Sequence, residues 1–269
     1  QGFAVSLSDN ELASLKNQPE VKEVWPDMMF VLAKPGTDPS NPPAQKTPYG
    51  ITIVGGGTTY TGTNQAWIID TGIDLDHPDL NVDAASGKNF IATTKTPDDD
   101  NGHGTHCAGI VAAKNNTIGV VGVAAGASVV PVKVLDRRGS GPYSVIIAGI
   151  DYVAGKAKRG DAVNLSLGGS VYQPIDDAVK RMAGLGLFVA LAAGNESDDA
   201  NNHSPARANG TNIFTISACD AAKKWAYFSN YGNPPVDYCA PGVSVYSTYK
   251  GGAYATLSGT SMAAPHACG

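Results

Sequence analysis

The chain has 269 residues, 42% of them apolar and 16% charged, with a net charge of −5 at neutral pH. This composition marks it as globular, and the length suffices for one large α/β domain with a substantial core plus a small appendage. The acidic balance, without any basic cluster, excludes a phosphate-neutralising nucleic-acid surface, and no run of about 18 apolar residues exists to span a membrane.

Residues Gly2 to Ser8 alternate, with Phe3, Val5 and Leu7 on one side, which predicts a strand. Ser8-Asp9-Asn10-Glu11 reads as a capping box opening a short helix that Pro19 ends. Val21 to Trp25 alternates again and predicts a second strand. This unit of about 30 residues is too small to hold itself together and must pack on something else. Lys34 to Pro43 is proline-rich and polar, hence an extended, exposed linker open to proteolysis.

From Gln45 onward, apolar runs alternate with helical patterns. Buried strands are expected at 66–70, 129–135, 162–167, 187–192 and 213–217, and helices at 105–113, 145–158 and 175–185. Strand and helix in alternation predict a mostly parallel sheet covered on both faces, with working residues gathered where strands end. The cysteines 107, 219, 239 and 268 lack zinc-ligand spacing. Cys219 and Cys239 are close enough to expected strands that a disulfide is feasible, whereas Cys107 and Cys268 fall on expected helices and read as buried free thiols.

Four glycine-rich turns carry the chemistry. Asp70 ends an apolar strand, His103 opens an apolar helix, Asn195 follows Ala-Ala-Gly, and Ser261 lies in Gly-Thr-Ser-Met at a helix start. A serine hydroxyl needs a base, an imidazole can serve near neutral pH, and a carboxylate must hold that imidazole's tautomer. A side-chain amide can then help stabilise an oxyanion, as can the backbone N–H groups and dipole of a helix start.

The motifs Asp-Thr-Gly-Ile-Asp (70–74), His-Gly-Thr-His-Cys-Ala-Gly (103–109), Ala-Ala-Gly-Asn-Glu (192–196) and Gly-Thr-Ser-Met-Ala-Ala-Pro-His (259–266) resemble the signatures of the subtilisin family of serine proteases, in that family's Asp, His, Ser order. The resemblance implies a three-layer α/β fold over residues 45–269. It also implies further elements beyond Gly269, so that the helix begun at Ser261 is expected to be cut short. Residues 1–30 are similar to the second half of the family's inhibitory propeptide, a small α+β fragment. Residues 31–44 would be a linker holding the maturation site.

By that resemblance Ser261 attacks the scissile carbonyl, His103 is general base and then acid, Asp70 orients His103, and Asn195 with the Ser261 N–H holds the oxyanion. His106 would be packed as support, and Asp74 and Asp76 would be loop or surface residues. An extended substrate would lie between Gly139-Ser140-Gly141 and Ser166-Leu167-Gly168. The residue before the cut would sit between 166–168 and the Ala192–Gly194 turn, in a roomy pocket suited to large apolar groups, with Glu196 at its rim. A Ca²⁺ site is implied, with side chains of Gln45, Asp79 and Asn116 and backbone oxygens of Lys114, Ile118 and Val120, a hard-oxygen set. The run 98–100, three aspartates, reads as a solvated loop. The implied protein is a secreted, monomeric, calcium-dependent endopeptidase acting on proteins or peptides, with its own propeptide as inhibitor and chaperone. The alternative is a latent fragment that binds peptides without turnover.

Overall fold

The computed structural model describes residues 4–31 and 42–269. The N-terminal part contains α1 (Asp9–Lys16) and the short strand β1 (Met29–Val31). The α1 start follows from its sequence: Ser8 and Glu11 satisfy each other's backbone N–H groups, with Ser8 N donating to Glu11 Oε2 at 2.8 Å. Neither expected strand forms among the described residues: 4–8 and 21–25 are not in strands, and residues 1–3 lie outside the described part. Alternation marks which residues could share a face, but a strand forms only with a partner edge, and among the described residues none pairs with these segments. The described strand of this part, β1, finds its partner in the large unit.

There the order is α2 (Tyr49–Val54), β2 (Ala66–Asp70), α3 (His103–Ala112), β3 (Ser128–Lys133), β4 (Ser140–Pro142), α4 (Tyr143–Lys156), β5 (Ala162–Leu165), α5 (Gln173–Gly184), β6 (Phe188–Ala192), β7 (Ile213–Cys219), β8 (Val236–Pro241), β9 (Val245–Tyr249), β10 (Ala253–Leu257) and α6 (Thr260–Cys268). The main sheet runs β8-β7-β6-β5-β2-β3, and the short strands Asn81–Val82 and Lys88–Asn89 both pair with β3. Its pairings are parallel, for example Ile68 opposite Asn164 and Leu191 opposite Leu165. β9 and β10 form a separate antiparallel pair.

The sheet is the middle of three layers. Because strand side chains alternate, Trp67 and Ile69 face one side, where they meet Ile146, Ile150 and Val153 of α4 and Val179 and Met182 of α5. Ala66 and Ile68 face the other, against Ala108, Ile110 and Val111 of α3. Ala263 and Ala264 of α6 continue that layer over Ala190, Ala192 and Ile216. Each fully buried Ile or Val contributes roughly 1.5–3 kcal/mol. Every residue of α3 is buried, and its small and apolar residues, with His103, Thr105 and His106 each given a hydrogen-bond partner, suit a helix wedged between sheet and β9. No described helix is long and apolar enough to cross a membrane.

β1 pairs antiparallel with β4, Met29 opposite Pro142 and Val31 opposite Ser140. Asp27 accepts from Ser144 N at 2.9 Å and from Ser144 Oγ at 2.5 Å, in the first turn of α4, where unpaired N–H groups favour an anion. Trp25 meets Tyr172 edge to face, ring centroids 5.8 Å apart. These contacts hold the N-terminal segment to the large unit.

Candidate active site

Asp70 is the last residue of β2, and His103 the first of α3. Both are buried, and His103 Nδ1 lies 2.8 Å from Asp70 Oδ1 and 2.9 Å from Oδ2. Burial alone would depress the imidazole's pKa, but the Asp70 carboxylate outweighs it and lifts His103 well above the ordinary histidine value, with Cys107 acting in the same direction. A carboxylate on Nδ1 selects the tautomer that leaves Nε2 able to accept a proton.

Ser261 is the second residue of α6. The chain enters this helix through Gly259 at φ 154°, ψ 162°, a backbone region open in practice only to glycine. Ser261 Oγ donates to Ser166 O at 3.1 Å, and Ser166 Oγ donates back to Ser261 O at 2.7 Å. Asn164 Nδ2 in turn donates to Ser166 Oγ at 2.8 Å. One turn along α3 from His103, the Cys107 sulfur is 4.0 Å from His103 Nδ1 and donates to Ser261 O at 3.4 Å. The serine and histidine residues are thus brought to the same sulfur atom. No hydrogen bond joins the Ser261 hydroxyl to His103 in this conformation of the described residues; such contacts commonly tighten only with substrate.

Asn195 lies in the turn after β6. Its Oδ1 accepts from Thr260 N at 2.8 Å and from Thr260 Oγ1 at 3.1 Å, and Thr260 Oγ1 accepts from Gly194 N at 3.0 Å. Fixing the oxygen fixes the amide plane and leaves Nδ2 without a partner among the described residues. A side chain at Gly259 would sit 3.7 Å from both Asn195 Nδ2 and Ser261 N, so these two donors flank one glycine.

Of the residues expected to line a substrate cleft, Ser140 and Gly141 lie on β4, the strand that β1 covers, and Gly139 closes the turn before it. Ser166, Leu167 and Ala192 are buried, Gly168 and Gly194 partly so. The Ser166 side chain is spent on Ser261 and Asn164, and its backbone oxygen accepts from the Ser261 hydroxyl. Glu196 stands in the turn after β6, but its carboxylate accepts from Asn230 Nδ2 at 2.7 Å.

Several expectations need correction. Asp74 lies in a loop, as one of its two expected placements has it, but it is buried there and accepts from Gly252 N at 2.8 Å. The 98–100 run is not merely solvated, because Asp99 is buried and Asp100 pairs with buried Lys133 at 2.6 Å. The thiols of Cys219 and Cys239 are free, although their strands are neighbours. Cys107 and Cys268 are free as well, the first buried and the second half-buried. His106 is packed as expected: its Nε2 lies 3.1 Å from Val245 O and 3.0 Å from Ala255 O, and burial lowers its pKa to about 3. Thr260, Cys107, Asp27 and Trp25 carry contacts that sequence reasoning did not assign. Thr260 and Cys107 stand inside motifs already singled out, but nothing in the sequence shows what each touches.

The residues expected around a cation also converge. Asp79, fully buried, accepts from Asn116 Nδ2 at 2.7 Å, Val120 N at 2.9 Å and Tyr254 OH at 3.3 Å. Gln45 Oε1 accepts from Asn116 N at 2.5 Å, Asn116 Oδ1 from Ile118 N at 2.8 Å, and Lys114 N donates to Asp79 O at 2.9 Å. Burial raises the pKa of Asp79 more than these donors lower it, the signature of a carboxylate short of positive charge. One carboxylate with amide and carbonyl oxygens nearby is a donor set that fits a hard cation. Presenting the Asn116 oxygen to it requires the amide to turn over, since its nitrogen now faces Asp79.

Comparison with known proteins agrees with this geometry. The subtilase family profile matches residues 67–269, and the peptidase inhibitor I9 profile matches residues 1–33. The chain is 38% identical over 283 residues to alkaline serine protease ver112 of Corniculantispora psalliotae, covering 100% of this chain and 70% of the relative. It is 39% identical over 276 residues to subtilisin E of Bacillus subtilis (strain 168), covering 99% and 68%. The crystal structure of a cold adapted subtilisin-like serine proteinase superposes with a TM-score of 0.73 at 34% identity, covering 82% of each chain. The chain therefore belongs to the subtilase family and is a subtilisin-like serine endopeptidase that carries an inhibitor I9 segment at its N-terminal end.

Proposed function

We propose that the chain cuts peptide bonds with Ser261 as nucleophile, His103 as general base and then acid, and Asp70 as the group that orients the imidazole. The observation that carries this reading is the buried Asp70–His103 contact at 2.8 Å with Ser261 held beside it through Cys107. In this reading the Ser261 hydroxyl leaves Ser166 O and gives its proton to Nε2. The oxygen then attacks the carbonyl carbon, and the developing oxyanion meets Asn195 Nδ2 and Ser261 N. His103 returns the proton to the leaving amine. Water repeats the sequence on the acyl-enzyme.

The substrate adds as a strand to the Gly139–Gly141 edge, in the way β1 does, with 166–168 as its opposite wall. The residue before the cut enters the space between 166–168 and Ala192–Gly194, where small residues leave room for a large apolar group. Ca²⁺ would be held by Gln45, Asp79 and Asn116 side chains with backbone oxygens of Lys114, Ile118 and Val120, pinning the loop after α3. The protein is read as secreted and monomeric, with residues 1–30 as the inhibitory segment, 45–269 as the catalytic domain, and the maturation cut in linker 31–44, most of which lies outside the described residues.

The test is Ser261→Ala in the full chain. It should abolish peptide hydrolysis and fluorophosphonate labelling, with circular dichroism unchanged. Equal activity in variant and parent would end the reading. A second reading, a latent chain that holds peptides without turnover, is favoured by one observation: β1 already occupies the β4 edge. Fluorophosphonate labelling of the uncut chain would count against it.

A further inference from the structure

Asp99 is a buried carboxylate that the steps above do not use. Its Oδ1 accepts from Asn101 N at 3.0 Å, Gly102 N at 2.8 Å and Thr71 Oγ1 at 2.9 Å. Its Oδ2 accepts from Thr105 N at 2.9 Å and Thr105 Oγ1 at 2.6 Å. Three of these donors are backbone N–H groups at the start of α3, whose own N-cap, Gly102, has no side chain to offer. Of the two hydroxyl donors, Thr105 Oγ1 belongs to α3 and Thr71 Oγ1 reaches back to the residue after Asp70. Thr71 Oγ1 completes the loop by accepting from Gly104 N at 2.9 Å, and Asp74 N donates to Thr105 Oγ1 at 3.0 Å.

The junction has no slack. A Cβ at Gly104 would come within 2.1 Å of Gly72 O and 3.1 Å of Asp70 Cβ. Buried Lys133 fixes the other side by donating to Thr71 O at 2.5 Å and to Asp100 Oδ1 at 2.6 Å. Asp99 does not touch the His103 ring. Burial pushes its own pKa up, and the Thr105, Gly102 and Asn101 donors pull it back.

From this we infer that Asp99, acting through Thr71, is a positioning residue: the pair locks the end of β2 to the start of α3 and thereby sets the distance and angle at which Asp70 meets His103. The network joins the two elements that carry those side chains and contains neither oxyanion donor; its one link toward the cleft among the described residues is Asn101 Nδ2, which donates to Arg137 O at 3.1 Å two residues before Gly139. Loosening it therefore acts on proton transfer before binding. The inference rests on the triad reading above.

The experiment uses Thr71→Val, which keeps the shape and removes the bridging hydroxyl, with Thr71→Ser as the conservative variant and Asp99→Asn alongside. Kinetics are measured on a chromogenic peptide anilide from pH 5 to 10, with Ser261→Ala as control. Thr71→Val should lower kcat by about 10- to 100-fold, the cost of a misplaced catalytic pair, with KM within about 2-fold. The acid limb of kcat/KM should move to lower pH as Asp70 loses hold of the imidazole, and Thr71→Ser should restore both. Asp99→Asn should show the same pattern where it folds. A folded Thr71→Val with kcat and acid limb unchanged overturns the proposal. So does failure of both Thr71 variants to fold, which would make the network scaffold alone. An active Ser261→Ala would instead defeat the triad reading, so the two failures are distinguishable.

Discussion

At the residue scale, each side chain of the proposed chemistry stands in a turn of small residues: Asp70 before Thr-Gly, His103 after Asn-Gly, Asn195 after Ala-Ala-Gly, Ser261 after Gly-Thr. What holds those side chains was not legible. Thr260, 65 positions from Asn195, fixes the amide through two hydrogen bonds, a pairing that depends on where β6 and α6 end. The role of Asp99 was hidden for a similar reason: three adjacent aspartates look like a solvated run until the α3 start closes over one of them. Thr260→Val should keep one of the two bonds, Thr260 N to Asn195 Oδ1, and lose the hydroxyl. It is expected to lower kcat several-fold with little change in KM, well short of the ~10²–10³ documented in this family for loss of the asparagine donor itself. A kcat equal to the parent's would show that the backbone bond alone aims the amide.

Among the elements, five strands of the main sheet, β2, β3, β5, β6 and β7, were readable to within about two residues because both faces are covered, so each reads as a largely apolar run, whereas β8, exposed over its first half, was not. The N-terminal segment misled for the opposite reason. Val5 is 56% exposed, and its alternation describes a face with nothing placed against it. Asp27 at the α4 start and Trp25 on Tyr172 could not be foreseen from a charge and an aromatic among many. The loop from Lys114 to Val120, gathered on the buried Asp79 carboxylate, is the element the proposed cation would hold. Chelation by EDTA should lower the thermal midpoint by several degrees and make this loop the first site of proteolysis. Restoring Ca²⁺, and not Mg²⁺, should reverse both, and Asp79→Asn should be insensitive to either treatment. An EDTA-treated parent with an unchanged midpoint would remove calcium from the account.

For the molecule as a whole, two of the buried histidines work against stability in acid. His106 and His266 are held neutral by burial, with pKa values lowered to about 3 and about 4. The unfolded chain protonates both near pH 6.5 while the folded chain does not, so their contribution is complete above that pH and is lost as pH falls towards 4 and then 3. Asp176 works in the opposite sense. Burial raises it to about 6, so it favours the folded state at low pH and loses that contribution as pH rises from about 4 to 6. Asp79 and Asp99, raised by burial, and His103, raised by Asp70, act in the same sense as Asp176, so the contribution of the two rings is read as a difference between variants. Below pH 6.5 each ring that stays neutral costs the folded state up to about 1.4 kcal/mol per pH unit relative to a chain without it. Urea midpoints measured from pH 7.5 to 4 should therefore fall more steeply, or rise less, in the parent than in His266→Gln. The same pH dependence in both would mean the His266 ring is hydrated in the folded state.

The pairing of β1 with β4 has a consequence for how such a chain meets its targets. A segment tethered to the edge it covers competes as a ligand at an effective concentration that can reach the millimolar range, whatever the dilution of the protein. An outside peptide must overcome that built-in rival, so turnover by the intact chain should respond weakly to added substrate. Severing the tether turns the same segment into an ordinary solute, and dilution then works in the enzyme's favour.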